Sequence, residues 1–301
     1  MNILVALFPL VVLIAMGYFL KRSEFVSAEF WRGTERLNYF ILFPILLFSN
    51  LAFVEIEFEQ VRAALIAMIC IIILCSLVLW GIRFFRYIPS ARFGVYVQSN
   101  IRFNTYIGLS LMGPLYGPKA MQLFAMIMVL AIPLVNVISV FALSQGRGIS
   151  LKQTLLMVLK NPLIWGCLVG IAYNVSGLPL YEGLTQTLKL LAATSLPLGL
   201  LCVGAGLQFA ALEKALPCLT INTLTRLLLV PLTAYFICGF MHLNATETAA
   251  LVVFFSLPTA TAAYILTKIL QGDSELMAGM ISLQTICFAL SFPFLLWLLA
   301  I

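Results

Sequence analysis

Stretches of mostly apolar residues, each long enough to cross a membrane, follow one another along almost the whole chain. A transmembrane helix needs about 20 such residues. Charged residues make up only 9% of the chain, whereas soluble domains carry roughly 25%. A water-soluble fold cannot bury this much apolar surface, so the sequence predicts an all-α integral membrane protein whose solvent is lipid.

Ten segments meet this length requirement, and short polar connectors separate them. They lie at 2–20, 36–54, 62–84, 94–112, 120–143, 160–178, 186–209, 218–241, 246–268 and 276–300. We number them as segments 1 to 10. The polar stretch 144–156 is the natural junction of two halves. The sequence therefore predicts a first five-helix repeat at 1–143, a cytoplasmic connector at 144–156 and a second repeat at 157–301.

Positive charge sets the predicted orientation, because cytoplasmic loops carry an excess of lysine and arginine. The even connectors and their edges hold only Arg62, Lys119 and Lys189. The odd connectors and their edges hold Lys21, Arg22, Arg32, Arg36, Arg83, Arg86, Arg92, Arg147, Lys152, Lys160, Lys214 and Lys268. Both termini are then outside the cell, and the second half enters the membrane inverted. Topology explains the net charge of +6, so nucleic acid is not an expected partner.

Two polar, helix-breaking stretches lie about half the chain apart, in segments 4 and 9. One is 99–105 (Ser-Asn-Ile-Arg-Phe-Asn-Thr), and the other is 256–261 (Ser-Leu-Pro-Thr-Ala-Thr). Pro258 interrupts a helix because it lacks a backbone donor, and Asn104 is a strong N-cap. Interrupted helices at corresponding places in two repeats point to a transporter's binding site. We expect broken helices 4 and 9 to cross at mid-membrane, with two half-helix N-termini directed at one centre.

The residues around these breaks favour an anionic ligand. Arg102 would cost roughly 2.5–3.5 kcal/mol at a helix centre, so we expect it to face a cavity, although it could instead snorkel to the cytoplasmic interface. Helix N-termini also attract anions. The candidate substrate-binding residues are Asn50, Asn100, Arg102, Asn104, Thr105, Pro258, Thr259 and Thr261. For Asn50 in segment 2 and Asn136 in segment 5, the sequence favours packing or hydrogen bonding between helices over contact with a ligand.

Other polar residues predict little chemistry. Arg226 in segment 8 is interpreted as snorkelling at the cytoplasmic end of its helix. No Asp or Glu falls clearly at mid-membrane, so a coupling ion is left unassigned. The single histidine, His242, lacks a supporting catalytic motif, and the seven cysteines form no C-x-x-C pair. We therefore expect neither an enzyme nor a bound metal or cofactor.

The chain resembles the auxin efflux carrier family of permeases, especially the compact bacterial members that act on malonate and related organic acids. The resemblance lies in Phe8-Pro9 through Gly17-Tyr18, the run 37–44 (Leu-Asn-Tyr-Phe-Ile-Leu-Phe-Pro), Asn100 to Gly108, and Leu257-Pro258. It implies ten helices in two inverted five-helix repeats, crossing at helices 4 and 9 around a small carboxylate. The plant members carry prolines at both crossovers. Asn104 stands at this place here, so we expect a less sharply broken helix 4.

Together these features predict a secondary active transporter of small organic anions in the bacterial inner (plasma) membrane. Helices 1, 2, 6 and 7 would rock against helices 3–5 and 8–10 by alternating access. Two alternatives stay open: a sodium- or proton-coupled symporter of another amphipathic substrate, and a membrane sensor that binds similar anions without moving them. The expected partners are the small organic anion, the lipid bilayer, a proton or sodium ion as a coupling candidate, and a second copy of the chain.

Overall fold

The structure is a computed structural model that describes residues 3–53, 58–144, 156, 159–212 and 215–301. Throughout these ranges the regular structure is helical, without strands, as the sequence predicts. Most of the connector 144–156 lies outside the described residues, as do Arg147, Lys152 and Lys214 of the charge argument. The fold is therefore an all-helical membrane protein.

In the described part of the first half there are six α-helices, two of them joined by a π-helical turn. They are α1 (Ile3–Arg22), α2 (Ala28–Leu37), the π-turn Asn38–Leu42, α3 (Phe43–Ala52), α4 (Phe58–Phe85), α5 (Ser90–Ile101) and α6 (Thr105–Leu143). Helix α6 turns sharply at Gly117, whose φ of 82° favours glycine. Segments 4 and 5 of the sequence therefore meet at this glycine without a loop between them.

The described part of the second half has seven α-helices and repeats the use of a π-turn. They are α7 (Pro162–Ser176), α8 (Glu182–Ala205), the 3-10 turn Phe209–Leu212, α9 (Leu216–Leu224), the π-turn Thr225–Leu229, α10 (Val230–Phe240), α11 (Ala245–Ser256), α12 (Ala262–Ile269) and α13 (Ser274–Leu299). Six continuous helical stretches of the described chain are long and apolar enough to cross a membrane, and α7 and α11 are shorter apolar helices. The arrangement as ten crossings in two inverted repeats stays a prediction.

Glycines bring the backbones of two helix pairs into direct contact. A Cβ atom built on Gly204 of α8 would lie 1.8 Å from the carbonyl oxygen of Ile14 in α1, and one on Gly17 would lie 2.0 Å from the carbonyl oxygen of Leu201. Small residues allow such close approach between membrane helices. The backbones of α1 and α8 are therefore packed without room for a methyl group at either position.

A similar crossing joins α3 and α7. A Cβ atom on Gly166 would lie 2.6 Å from the carbonyl oxygen of Pro44, and one on Gly170 would lie 3.1 Å from the backbone of Phe48. The G-x-x-x-G spacing in segment 6 thus serves helix packing. Helices α1, α3, α7 and α8 form one closely packed group, while α4–α6 and α9–α13 pack mainly on one another.

The glycine crossing predicts a sharp difference between two substitutions of the same kind. Gly204→Ala should lower the free energy of unfolding by about 1–3 kcal/mol, because overpacking forces the helix backbones apart. Gly81→Ala in α4 is the matched control, since a Cβ atom there meets nothing within 4 Å. Thermal unfolding of the purified variants in detergent measures the effect. Equal melting temperatures for the two variants would contradict the close contact.

Candidate functional site

The two helix breaks contact each other directly. Helix α5 ends at Ile101 and α6 begins at Thr105, while α11 ends at Ser256 and α12 begins at Ala262. The backbone N–H of Asn104 donates to the carbonyl oxygen of Pro258 at 2.8 Å. The breaks expected at Asn104 and Pro258 are both present, and they cross in hydrogen-bond contact.

The break in segment 4 forms around an asparagine cap instead of a proline. The backbone is extended at Arg102, with φ −79° and ψ 147°. The Asn104 side-chain oxygen accepts hydrogen bonds from the N–H groups of Tyr106 and Ile107, at 3.1 and 3.2 Å. An N-cap of this kind satisfies the first donors of a new helix without a proline. How sharp this break is relative to those of the plant members stays a prediction.

Gln284 of α13 ties the two breaks together from the side. Its Oε1 accepts from the Thr259 N–H at 2.9 Å and lies 2.7 Å from Thr259 Oγ1. Its Nε2 donates to Asn222 Oδ1 at 3.0 Å and to the Ser99 carbonyl at 3.3 Å. Gln284 is completely buried, so these bonds replace water for the backbone that the breaks leave unpaired. Gln284 was not a candidate residue.

Arg226 is buried at the crossover, so its assignment to the cytoplasmic end of a helix is wrong. Its side chain is 0% exposed. Its Nε donates to the Leu257 carbonyl at 2.9 Å, and one terminal nitrogen donates to the Asn100 carbonyl at 2.8 Å. Both acceptors lie at the C-terminal ends of broken helices, which offer carbonyl oxygens without intrahelical partners. These bonds offset the cost of removing the guanidinium from water.

A cavity of about 500 Å³ lies beside the crossover. Both half-helix starts border it, together with α2 and its π-turn, the middle of α6 and the start of α7. The lining residues are Arg32, Glu35, Arg36, Tyr39, Phe40, Arg102, Phe103, Asn104, Thr105, Tyr106, Ile132, Val135, Asn136, Asn161, Leu163, Ala260, Thr261, Ala262 and Ile265. The N-termini of α6 and α12 therefore face one shared space.

The structure brings four of the eight candidate binding residues to this cavity. Those lining it are Arg102, Asn104, Thr105 and Thr261. Those outside the lining are Asn50, Asn100, Pro258 and Thr259. Asn50 lies in α3, whereas the other three belong to the crossover and hold it together. The lining also includes Asn136, for which the sequence favours packing over contact with a ligand.

Several lining residues were missed because their charge has a simpler explanation in the sequence. Arg32 and Arg36 counted only as topology signals, and Glu35 and Tyr39 were not singled out. These residues line the cavity because the helix begins at Ala28, eight residues before the predicted start of segment 2 at 36. Helix α2 then continues into the π-turn Asn38–Leu42. The strongly amphipathic pattern of residues 28–37 was the available signal.

Positive charge dominates the cavity wall. Arg102 donates to Gln98 Oε1 at 3.1 Å and also to Asn136 Oδ1, and two further arginines line the cavity beside one carboxylate, Glu35. Burial raises the pKa of Glu35, and the nearby Lys21 ammonium opposes this shift only in part. Glu35 therefore takes up a proton more readily than a free carboxyl group, and its protonation would remove its negative charge from the cavity wall.

Hydrogen-bond donors without partners add to this preference. The Asn104 side-chain nitrogen is buried and has no hydrogen-bond partner. The N-cap residue of helix α12, Thr261, makes no side-chain cap, and the N–H groups of Ala263 and Tyr264 donate to the carbonyls of Ala260 and Thr261. Helix N-termini carry a partial positive charge. Together with the Arg102 guanidinium, these groups offer the site that a carboxylate requires.

Comparison with known proteins decides the family. The model of the family described as "Membrane transport protein" matches residues 2–153 and 147–296. The chain belongs to this family. It is the auxin efflux carrier family of the sequence resemblance, so the chain is a multi-pass membrane transport protein.

One protein with a similar sequence is named only as a transporter. It is an "Uncharacterized transporter" of Methanothermobacter thermautotrophicus, 31% identical over 136 residues. The match covers 44% of this chain and 43% of that protein. The chain thus spans less than half the length of the relative that it matches, which supports transport in general and no particular substrate.

The role of Gln284 in this transporter can be tested by removing its polar atoms. Gln284→Leu leaves the Thr259 N–H and Asn222 without partners, and each buried unsatisfied group costs about 1–3 kcal/mol. We expect a clearly lower melting temperature in detergent. Gln186→Leu, at an exposed position of α8, is the matched control and should melt like the wild type. A Gln284→Leu protein as stable as this control would exclude a stabilising role for the hydrogen bonds of Gln284.

Proposed function

We propose that this protein is a secondary active transporter of small organic anions such as mono- and dicarboxylates. One observation carries the proposal: both half-helix N-termini and Arg102 border the same cavity. The ends of two helix dipoles and a guanidinium attract a carboxylate. The proposal makes the protein a transporter and not an enzyme.

The cavity size agrees with a small substrate. Ligand pockets commonly span about 300–1,000 Å³, and this cavity measures about 500 Å³. Apolar and aromatic side chains such as Tyr39, Phe40 and Ile132 form much of the wall. They would accommodate the carbon skeleton of an organic acid while Arg102 binds its carboxylate.

The position of the cavity supports alternating access. One wall comes from α2, its π-turn and the start of α7, and the other from the crossover and α6. These walls belong to the two helix groups that pack mainly within themselves. In transporters built from repeats, rocking of one group against the other exposes a fixed site to each side in turn. We propose that the group α1–α3, α7 and α8 rocks against α4–α6 and α9–α13.

The proposed topology is ten crossings in two inverted five-helix repeats, with both termini outside the inner membrane. Two features support it: the breaks lie about half the chain apart, and five crossings per half reverse the orientation. Arg32 and Arg36, in the first predicted cytoplasmic connector, line the cavity. In this topology the cavity opens toward the cytoplasm.

Exchange across a membrane tests both the activity and the role of Arg102. Proteoliposomes loaded with one unlabelled acid, malonate first, should take up the labelled acid by saturable counterflow. Arg102→Ala should reduce kcat/KM by about tenfold or more, because one lost charge-assisted hydrogen bond is worth about 1.5–3 kcal/mol. Arg86→Ala, at an exposed arginine, should retain wild-type exchange.

Different outcomes separate the proposal from its alternatives. Saturable binding without exchange would favour a sensor over a transporter. Unchanged counterflow in Arg102→Ala would show that the anion does not bind at the crossover through Arg102. Absence of binding and exchange with every small carboxylate tested would exclude this substrate class.

Removing the charge of Glu35 should improve substrate binding in the same cavity, whereas removing Arg102 should weaken it. Its carboxylate, where ionised, repels an anion, so Glu35→Gln should lower the KM for the transported acid. The difference from wild type should grow as pH rises, because more of the wild-type Glu35 is then ionised. Glu182→Gln, at the exposed start of α8, is the matched control. Counterflow measured between pH 5 and 8 gives the comparison, and an unchanged KM across this range would place Glu35 away from the substrate.

A further inference from the structure

The guanidinium of Arg226 lies between the C-terminal ends of the two broken helices. It donates to the carbonyl of Leu257, which ends α11, and to the carbonyl of Asn100, in the last turn of α5. In transporters with broken helices, such half-helix C-terminal ends and unwound carbonyls coordinate the coupling cation. We propose that Arg226 is a built-in cation of the crossover, which takes the place of a bound sodium ion.

The hydrogen bonding of the crossover explains why these carbonyls are available. In a continuous helix the Asn104 N–H would donate to the Asn100 carbonyl, four residues earlier. Here it donates to Pro258 of the other break instead. The Asn100 carbonyl is thereby free to accept from Arg226. The same contact that crosses the two helices thus creates half of the cation site.

The charges balance without an acidic partner. Each helix C-terminus carries a partial charge of about −0.5, so two of them together offset the single positive charge of a guanidinium or a sodium ion. Among the described residues no carboxylate forms an ion pair with Arg226. A sodium ion placed at the same carbonyls would lie beside a fixed cation and be repelled.

Local geometry supports a dedicated position for this side chain. Arg226 lies within the π-turn Thr225–Leu229, and π-turns inside α-helices are frequent at functional sites. One terminal nitrogen of Arg226 and the Asn100 Oδ1 atom are buried without hydrogen-bond partners. Removing the arginine side chain would leave a small space bordered by two carbonyl oxygens, those of Leu257 and Asn100.

Cation rescue of a truncated variant tests this inference. Arg226→Ala should melt at a lower temperature than wild type in detergent. Millimolar guanidinium or methylguanidinium should raise the melting temperature of the variant saturably and recover at least half of the loss. Sodium, exchanged against choline at constant ionic strength, should stabilise the variant but leave the wild type unchanged. Arg86→Ala, at an exposed arginine, should respond to none of these cations.

Each outcome of this experiment decides the inference. Saturable stabilisation of the wild type by sodium would overturn it, as would an Arg226→Ala protein that melts like wild type or that no cation stabilises. If Arg226→Ala cannot be purified, Arg226→Lys and Arg226→Met decide. A folded lysine variant with an unfolded methionine variant supports a requirement for positive charge, whereas two equally folded or equally unfolded variants exclude it.

A transport measurement extends the inference to the proposed function, on which this part rests. Wild-type counterflow should proceed at the same rate in sodium and in choline, while Arg226→Ala should lose about tenfold or more of the rate and regain it with guanidinium. Wild-type exchange that requires sodium would overturn the inference. The melting experiment uses no substrate, so failure of the anion proposal would leave its result interpretable.

Discussion

Every broken helix inside a membrane must find partners for the backbone groups that the break frees, and the rest of this structure depends on how that is done. In lipid an unpaired N–H or carbonyl costs several kcal/mol. Here one break supplies the partner of the other, through the hydrogen bond from Asn104 to Pro258. Gln284 from α13 and Arg226 from the π-turn before α10 then satisfy four further groups, the Thr259 N–H and the carbonyls of Ser99, Leu257 and Asn100. The two breaks are stable because they are made together.

The crossover also places the positive and negative ends of the helix dipoles on different sides. The N-terminal ends of α6 and α12 face the cavity, and the C-terminal ends of α5 and α11 face Arg226. The positive ends of the dipoles are thus available to a ligand, while a fixed cation occupies the negative ends. The proposed preference for an anion would thus rest on the direction of the chain through each break as well as on Arg102.

Local chemistry made the breaks predictable from sequence, whereas their partners were not. Asn104 and Pro258 act on their own helices, as an N-cap and as a residue without a backbone donor, so the pattern around them was sufficient. Arg226 acts on carbonyls 31 and 126 positions away in the chain, and nothing in its own segment distinguishes it from an arginine at a helix end. Gln284 is similar, because its partners include Ser99, 185 positions away. The roles of such residues depend on tertiary contacts, which the local sequence pattern does not reveal.

Hydrogen bonds join the elements of the crossover to one another, whereas the wall formed by α2 lies on the other side of the cavity. Buried hydrogen bonds from Asn104, Gln284 and Arg226 join both breaks to α13 and to the π-turn before α10, so these elements form one hydrogen-bonded unit. The wall formed by α2 and its π-turn faces them across open space and is anchored to α8 through Asn38, whose side chain bonds Ser195. In the proposed mechanism, alternating access therefore needs no hydrogen bond of the crossover to break. In this proposal the cavity would open and close where the two helix groups meet, and the anion would stay bound to Arg102.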